Sequence, residues 1–140
     1  MRRRLAPGRP GISGRWTSSS KSGVGTAVSR ESRVWFTLSH GILNEVYYPR
    51  VDCACIRDLE CIVTDGQALF SEEKRDCRSD TSQVAPGVPA YLIRNTALDG
   101  RYRIEKEVLT DPQRDVVLQR IRFVPLQGVL SDYHLYVLVS

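Results

Sequence analysis

No stretch of this 140-residue sequence is apolar for long enough to cross a bilayer. The longest apolar runs, such as Leu135–Val139, fall far short of the roughly 20 residues that a membrane helix needs. The basic start, Arg2, Arg3 and Arg4, is not followed by the apolar segment of about 7–15 residues that a secretory leader requires. Pro7, Gly8, Pro10 and Gly11 come instead, so the chain reads as unexported and cytoplasmic, with no membrane partner. Paired metal-ligand spacing is also missing. Zinc sites use ligand pairs two to four residues apart, twice over, whereas Cys53 and Cys55 are separated by one residue and Cys77 stands alone. Without export a disulfide is not expected either, and Cys55 and Cys61 read as small buried apolar side chains. No metal or cofactor is expected. No amphipathic helix of ordinary length appears, no internal repeat suggests a propeller or solenoid, and no nucleophile–base constellation surrounds His40 or His134.

The net charge of +4 is concentrated at one end. Arg2, Arg3, Arg4, Arg9 and Arg15 all lie in an N-terminal tail, and without them the body is close to neutral. A nucleic-acid binder needs a basic face on its folded surface with aromatics interleaved, and none is legible here. Residues 1–23 are rich in Arg, Gly, Pro and Ser and read as a flexible arm, with Trp16 as its one anchor onto the body.

What is present is β punctuation. A hydrophobic fraction of 41% and a charged fraction of 26% are those of a globular chain. Arg33–Leu38 packs Val34, Trp35, Phe36 and Leu38 into a strand expected to be buried on both faces, followed by Ser39-His40-Gly41 and a second strand over Ile42–Tyr48. Leu59–Thr64 ends at Asp65-Gly66, a two-residue hairpin signal with Ala68–Ser71 returning. Residues 72–87 are charged and turn-rich and are expected to be a solvated connection. Ala90–Thr96, Asp99-Gly100 and Arg101–Leu109 make a second hairpin, in which Lys106 interrupts the apolar face and is expected at an edge or reaching solvent by its stem. Asp111-Pro112 turns into Asp115–Val124, which places Val117, Ile121 and Phe123 on one face. Tyr133–Val139 is apolar or aromatic on both faces, as expected of a central strand, and Ser140 follows it directly. The fold class is therefore all-β, with residues 24–140 forming an incomplete sandwich. Asp65 and Asp99 serve turns, Asp58 pairs with Arg57 or a nearby arginine, and Glu45 is a structural or surface carboxylate.

The densest segment is Val34-Trp35-Phe36-Thr37-Leu38-Ser39-His40-Gly41, continuing to Tyr47-Tyr48-Pro49-Arg50-Val51-Asp52. Pro49 disfavours helix at Tyr48 and is expected to hold the following loop extended. Tyr47, Tyr48, Arg50 and Asp52 then crowd aromatic faces, a cation and a carboxylate into one short loop. Sugars suit such a surface, since their C–H faces stack on rings and their hydroxyls bond to charged groups. These four residues are the candidate substrate-binding set.

The same stretch resembles the N-terminal domain of prokaryotic glucoamylases and glucodextranases of glycoside hydrolase family 15. The resemblance extends through Arg15-Trp16-Thr17, Ile62-Val63-Thr64-Asp65-Gly66, Phe70–Asp76, Ala85–Tyr91, Asp99–Glu107 and Leu109–Pro112, and so covers nearly the whole chain. It implies a β-supersandwich of the galactose mutarotase-like kind, packed in the family against a following (α/α)6 barrel. It also implies that the barrel, not this domain, holds two catalytic glutamates that invert the anomeric centre while glucose is released from α-glucan ends. The chain is accordingly expected to be a non-catalytic portion of such an enzyme, inactive alone, meeting an α-glucan or oligosaccharide through its parent. Two alternatives are a free-standing carbohydrate-binding module and a non-functional gene fragment. The resemblance does not decide linkage specificity. Cys53, Cys55 and Cys61 depart from the family pattern.

Overall fold

Alternation of apolar and polar residues dominates the chain from Gly23 onward, and the backbone follows it into two antiparallel sheets. The structure, a computed structural model, describes residues 18–140; Trp16 and most of the N-terminal arm lie outside them. The first sheet runs β1 (Gly23–Thr26), β2 (Trp35–Ser39), β3 (Ile42–Tyr47), β5 (Leu59–Thr64) and β11 (His134–Val139), with β4 (Ala54–Ile56) paired to β3 and β6 (Phe70–Glu72) to β5. The second runs β10 (Val117–Pro125), β9 (Tyr102–Thr110), β8 (Tyr91–Ala97) and β7 (Cys77–Gln83). Helix among the described residues is limited to one four-residue turn, α1 (Glu73–Asp76), and a 3₁₀ turn at Leu130–Asp132. None of these is long and apolar enough to cross a membrane.

Turn chemistry sets the register. His40 and Gly41 both have positive φ, 51° and 73°, and join Ser39 directly to its partner Ile42, as a two-residue primed hairpin turn requires. At the Asp65 turn, one carboxylate oxygen accepts the backbone N–H groups of Gln67, Ala68 and Leu69 at 2.9, 3.0 and 2.9 Å. Those donors hold the Asp65 carboxyl below its usual range. Asp99 plays the same part before β9, accepting the Arg101 N–H at 3.0 Å.

The inner faces meet in two apolar clusters. Val34, Phe36, Leu38, Leu43, Val46, Tyr91, Ile93 and Val108 form one. Cys61, Val63, Ala97, Tyr102 and Ile104 form the other, closed by an aromatic group in which Tyr102 stacks on Phe123 at 5.3 Å and Tyr133 meets Phe123 at 5.3 Å. Fully burying one such large apolar side chain is worth about 1.5–3 kcal/mol, so these clusters carry most of the driving force.

Several expectations change at this level. Cys55, expected to be buried with Cys61, is exposed, and only Cys61 is buried. The charged stretch after Ser71 is not a solvated connection: α1 carries the chain from one sheet to the other, and β7 then pairs with β8 along seven residues. Its polar sequence fits its place as an edge strand, where most side chains face water. Lys106 does not reach solvent, for it sits on the inner face of β9 between Ile104 and Val108, and is buried. β11 is an edge strand rather than a central one, and all six of its residues are exposed. In β2, Trp35 and Thr37 are half-buried on the face opposite Phe36 and Leu38, so its burial is one-sided.

Candidate functional site

Trp35 and Tyr47 are directly opposed across β2 and β3, which puts both rings on the outer face of the first sheet. With Val24, Thr26, Val51 and Pro89 they line an open apolar cleft of about 240 Å³. Gly25 belongs to its floor, because the Phe36 ring packs so closely there that no side chain fits. Tyr47 is half-buried and hydrogen-bonds Glu45, whose carboxylate adds to burial in pushing the Tyr47 hydroxyl above its ordinary value.

Beyond Tyr47 the chain folds back instead of running on extended. The Tyr48 N–H donates to the Cys53 carbonyl at 3.0 Å, and the Cys53 N–H donates to the Arg50 carbonyl at 3.0 Å. The Tyr48–Pro49 peptide bond is cis. In this turn Arg50 and Asp52 meet as a two-pronged pair, Nε to Oδ1 at 3.0 Å and Nη2 to Oδ2 at 2.9 Å, both exposed. Tyr48 is 40% exposed, with the Arg33 guanidinium 5.8 Å from its ring centre. Arg33 in turn is bound through its backbone N–H and its side chain to Asp115, which ties this corner to the second sheet.

Of the four residues expected from sequence, the fold therefore places only Tyr47 in the cleft, beside Trp35 and Val51. Tyr48, Arg50 and Asp52 sit on the outer surface of the adjoining turn, and Arg50 and Asp52 satisfy each other. The sequence gives no sign of Trp35 as a surface ring, because its segment reads as continuous core. The cross-strand register with Tyr47 is what exposes it.

The carboxylates elsewhere are engaged in structure. A second, polar cleft of about 610 Å³ is lined by His40, Arg57, Asp58, Glu60, Glu72, Lys74 and Arg75 and by the end of β11. Asp58 pairs with Lys74 at 2.9 Å and accepts from Asn44 Nδ2 at 2.8 Å, so a lysine and an amide hold it. Glu60 accepts the Lys74 N–H at 3.1 Å, while burial pushes its carboxyl up. Asn44 is the extra residue of a bulge opposite Thr37 and Leu38, which turns its buried amide toward Asp58 and Lys21.

The family model for glucodextranase, domain N, matches residues 6–140. The chain belongs to the glucodextranase domain N family. A glucoamylase of Clostridium sp. (strain G0005) is 42% identical over 127 residues, which are 91% of this chain and 18% of that protein. A bacterial glucoamylase crystallised with acarbose superposes with a TM-score of 0.86 at 40% identity, covering 87% of this chain and 18% of the other. The chain thus spans under a fifth of the length of these relatives, and its all-β fold matches that of the crystallised glucoamylase over the superposed residues.

Proposed function

We propose that this chain serves as the N-terminal, non-catalytic β-sandwich portion of an α-glucan exo-hydrolase, supporting an (α/α)6 catalytic unit. The observation that carries the reading is the domain N match along residues 6–140, in a chain corresponding to 18% of a glucoamylase. The chemistry of its carboxylates agrees with that role. Asp58, Glu60 and Asp65 are held by lysine, amide or backbone donors, and an inverting glycosidase needs instead an acid and a base standing apart with room for water. On this reading its partners are the catalytic unit and, through it, an α-glucan or oligosaccharide, without nucleic acid or membrane. Tyr47, Tyr48, Arg50 and Asp52, with Trp35 beside them, form the surface that faces sugar. Opposed rings on β2 and β3 with a charged fork on the adjoining turn favour this role over a purely structural one.

A domain exchange tests the main reading. The corresponding segment of the Clostridium glucoamylase is replaced by this chain, and glucose release from maltooligosaccharides is measured against the intact enzyme and a version lacking the segment. A chimera as active as the intact enzyme, beside an inactive or insoluble deletion, is the expected result. Equal activity in the deletion sinks the supporting role. Glucose release by the purified 140-residue chain alone sinks the non-catalytic one.

A further inference from the structure

The polar cleft beside α1 has no part in the surface that carries Trp35 and Tyr47, and the two are lined by different residues. We propose that this cleft is a second, non-catalytic sugar site, which holds neutral glucosyl units through their hydroxyl groups. The choice of glucosyl units rests on the reading above, while the hydrogen-bonding chemistry stands on the cleft itself.

Two acceptors come to the cleft without a partner. Glu60 points to the face of β5 opposite Cys61 and Val63, yet it is only 4% exposed. The Lys74 N–H donates to its Oε2 at 3.1 Å. Its Oε1 accepts no hydrogen bond from any described residue and is not sealed from solvent, so this buried carboxylate has half its capacity open to the cleft that it lines. His40 supplies the other acceptor. Ser39 Oγ spends its proton on the Ser20 carbonyl at 2.7 Å, so the 2.7 Å contact between Ser39 Oγ and His40 is donated by Nδ1–H. In the neutral ring that leaves Nε2 as an acceptor, on a residue that lines the same cleft.

Donors of opposite charge stand among them. Lys74 pairs with Asp58 at 2.9 Å and keeps further N–H groups on its ammonium. Arg75 binds Glu72 through Nε at 3.2 Å and keeps both terminal nitrogens. Cations and carboxylates alternate, so an ion of either sign meets a like charge beside every partner. A hydroxyl group donates and accepts at once, and it satisfies both kinds of group without adding charge. The volume of about 610 Å³ lies within the range of small-ligand sites. An apolar wall completes the arrangement. Leu138 lies directly opposite Glu60 in the register of β11 with β5, and Tyr136, next along the same face, is 57% exposed. Its ring is free to stack on the C–H face of a sugar.

Maltotriose tests the site on the full 140-residue chain, by amide shifts in ¹⁵N-labelled protein. At millimolar sugar the amides of His40, Lys74, Arg75 and Leu138 are expected to shift along one binding curve. Glu60→Gln and Arg75→Ala should each weaken that curve about tenfold, the effect of losing one hydrogen bond to a charged group. Glu60 is buried and its variant may lose the fold, whereas Arg75 is exposed and keeps the test open. Arg94→Ala, on the second sheet, should bind as the unaltered chain does. The proposal is overturned if those four amides do not move, if Arg75→Ala keeps the original affinity, or if inorganic phosphate moves them at lower concentration than the sugar. Shifts confined to Trp35 and Tyr47 also overturn it, while supporting the surface proposed above. A failed domain exchange with the four shifts intact sinks the supporting role and leaves this site standing.

Discussion

The Lys106 ammonium lies 2.8 Å from Glu73 Oε1, and neither side chain is exposed at all. The approach falls outside hydrogen-bonding geometry, so the contact is an ion pair held by charge rather than by a directed bond. Glu73 is further tied down by the Cys61 N–H, which donates to Oε2 at 2.9 Å, and by Asn95 Nδ2. Asn95 Nδ2 also donates to the Gly41 carbonyl at 2.8 Å. This polar cluster joins both sheets between the two apolar clusters. Removing one partner strands a buried charge, which costs about 3–5 kcal/mol. Lys106→Met should therefore lower the urea midpoint steeply. Lys106→Met combined with Glu73→Gln should recover part of the loss, because the stranded carboxylate is gone. Strictly additive losses in the double variant would show that the two charges do not support each other.

Gly41 stands where that cluster meets the β2–β3 turn. Its φ of 73° suits glycine, and a methyl group there would overlap Asn95 Oδ1 and Ser79 Oγ. Left-handed backbone costs a side-chain-bearing residue about 1–2 kcal/mol, and forced overlap in a packed site about 1–3 kcal/mol more. Gly41→Ala should destabilise by the two together. Gly87→Ala, with comparable φ but open space around it, should lose only the first part. Equal losses at the two sites in a denaturant titration would remove the packing argument.

Sequence alone makes the hairpins at Asp65-Gly66 and Asp99-Gly100 legible, because turn residues and period-2 alternation point the same way there, but the first closes through the five residues 65–69 between paired Thr64 and Phe70, not through the two expected. It misreads the segment Glu72–Asp76. Five successive charged residues look solvated, and what decides otherwise is the tertiary meeting of Glu73 with Lys106, 33 positions away in a strand whose own alternation already places Lys106 inward. Taken together those two anomalies, a charge in an apolar face and a carboxylate run nearby, are the signal that pairing would have resolved. β11 misleads for a different reason. Apolar character on both faces reports what a strand is able to cover, not which neighbours lie beside it. The site is half legible: Tyr47 and its turn are visible in the sequence, but Trp35 requires the cross-strand register.

The four cysteines should separate into two pairs by reactivity. Burial pushes the Cys61 thiol up to about 12 and the Cys77 thiol up to about 11 from an ordinary 9.0, whereas Cys53 and Cys55 face solvent. Thiolate is the reactive form, so iodoacetamide near neutral pH should label the exposed pair quickly and the other two only after denaturation. Both raised values favour the protonated thiol in the folded chain. Their contribution to stability is full below the unfolded value near 9 and is lost as pH rises through the folded values. Peptide mass mapping that finds Cys61 alkylated at the rate of Cys53 would contradict this burial.

The role of the turn after β3 can be separated from its packing in an intact homologous enzyme carrying this segment. A fully buried aromatic ring costs about 3–5 kcal/mol when cut to alanine, but Tyr48 is 40% exposed. Neighbouring Arg33 makes a surface cation–π contact worth about 0.5–1 kcal/mol. Tyr48→Ala should thus shift the melting temperature only slightly. Arg50→Ala should do the same, since exposed ion pairs such as Arg50–Asp52 contribute about 0–1 kcal/mol. Tyr47→Ala should cost more, because that ring is half-buried against its cross-strand partner Trp35. If the turn faces sugar, Tyr48→Ala and Arg50→Ala lower turnover or raise KM on maltooligosaccharides while the fold stays intact, and Tyr47→Ala lowers both activity and stability. Activity that falls only in proportion to melting temperature across all three variants would reduce the turn to a packing element, leaving Trp35 and Tyr47 as surface support for the strand pair.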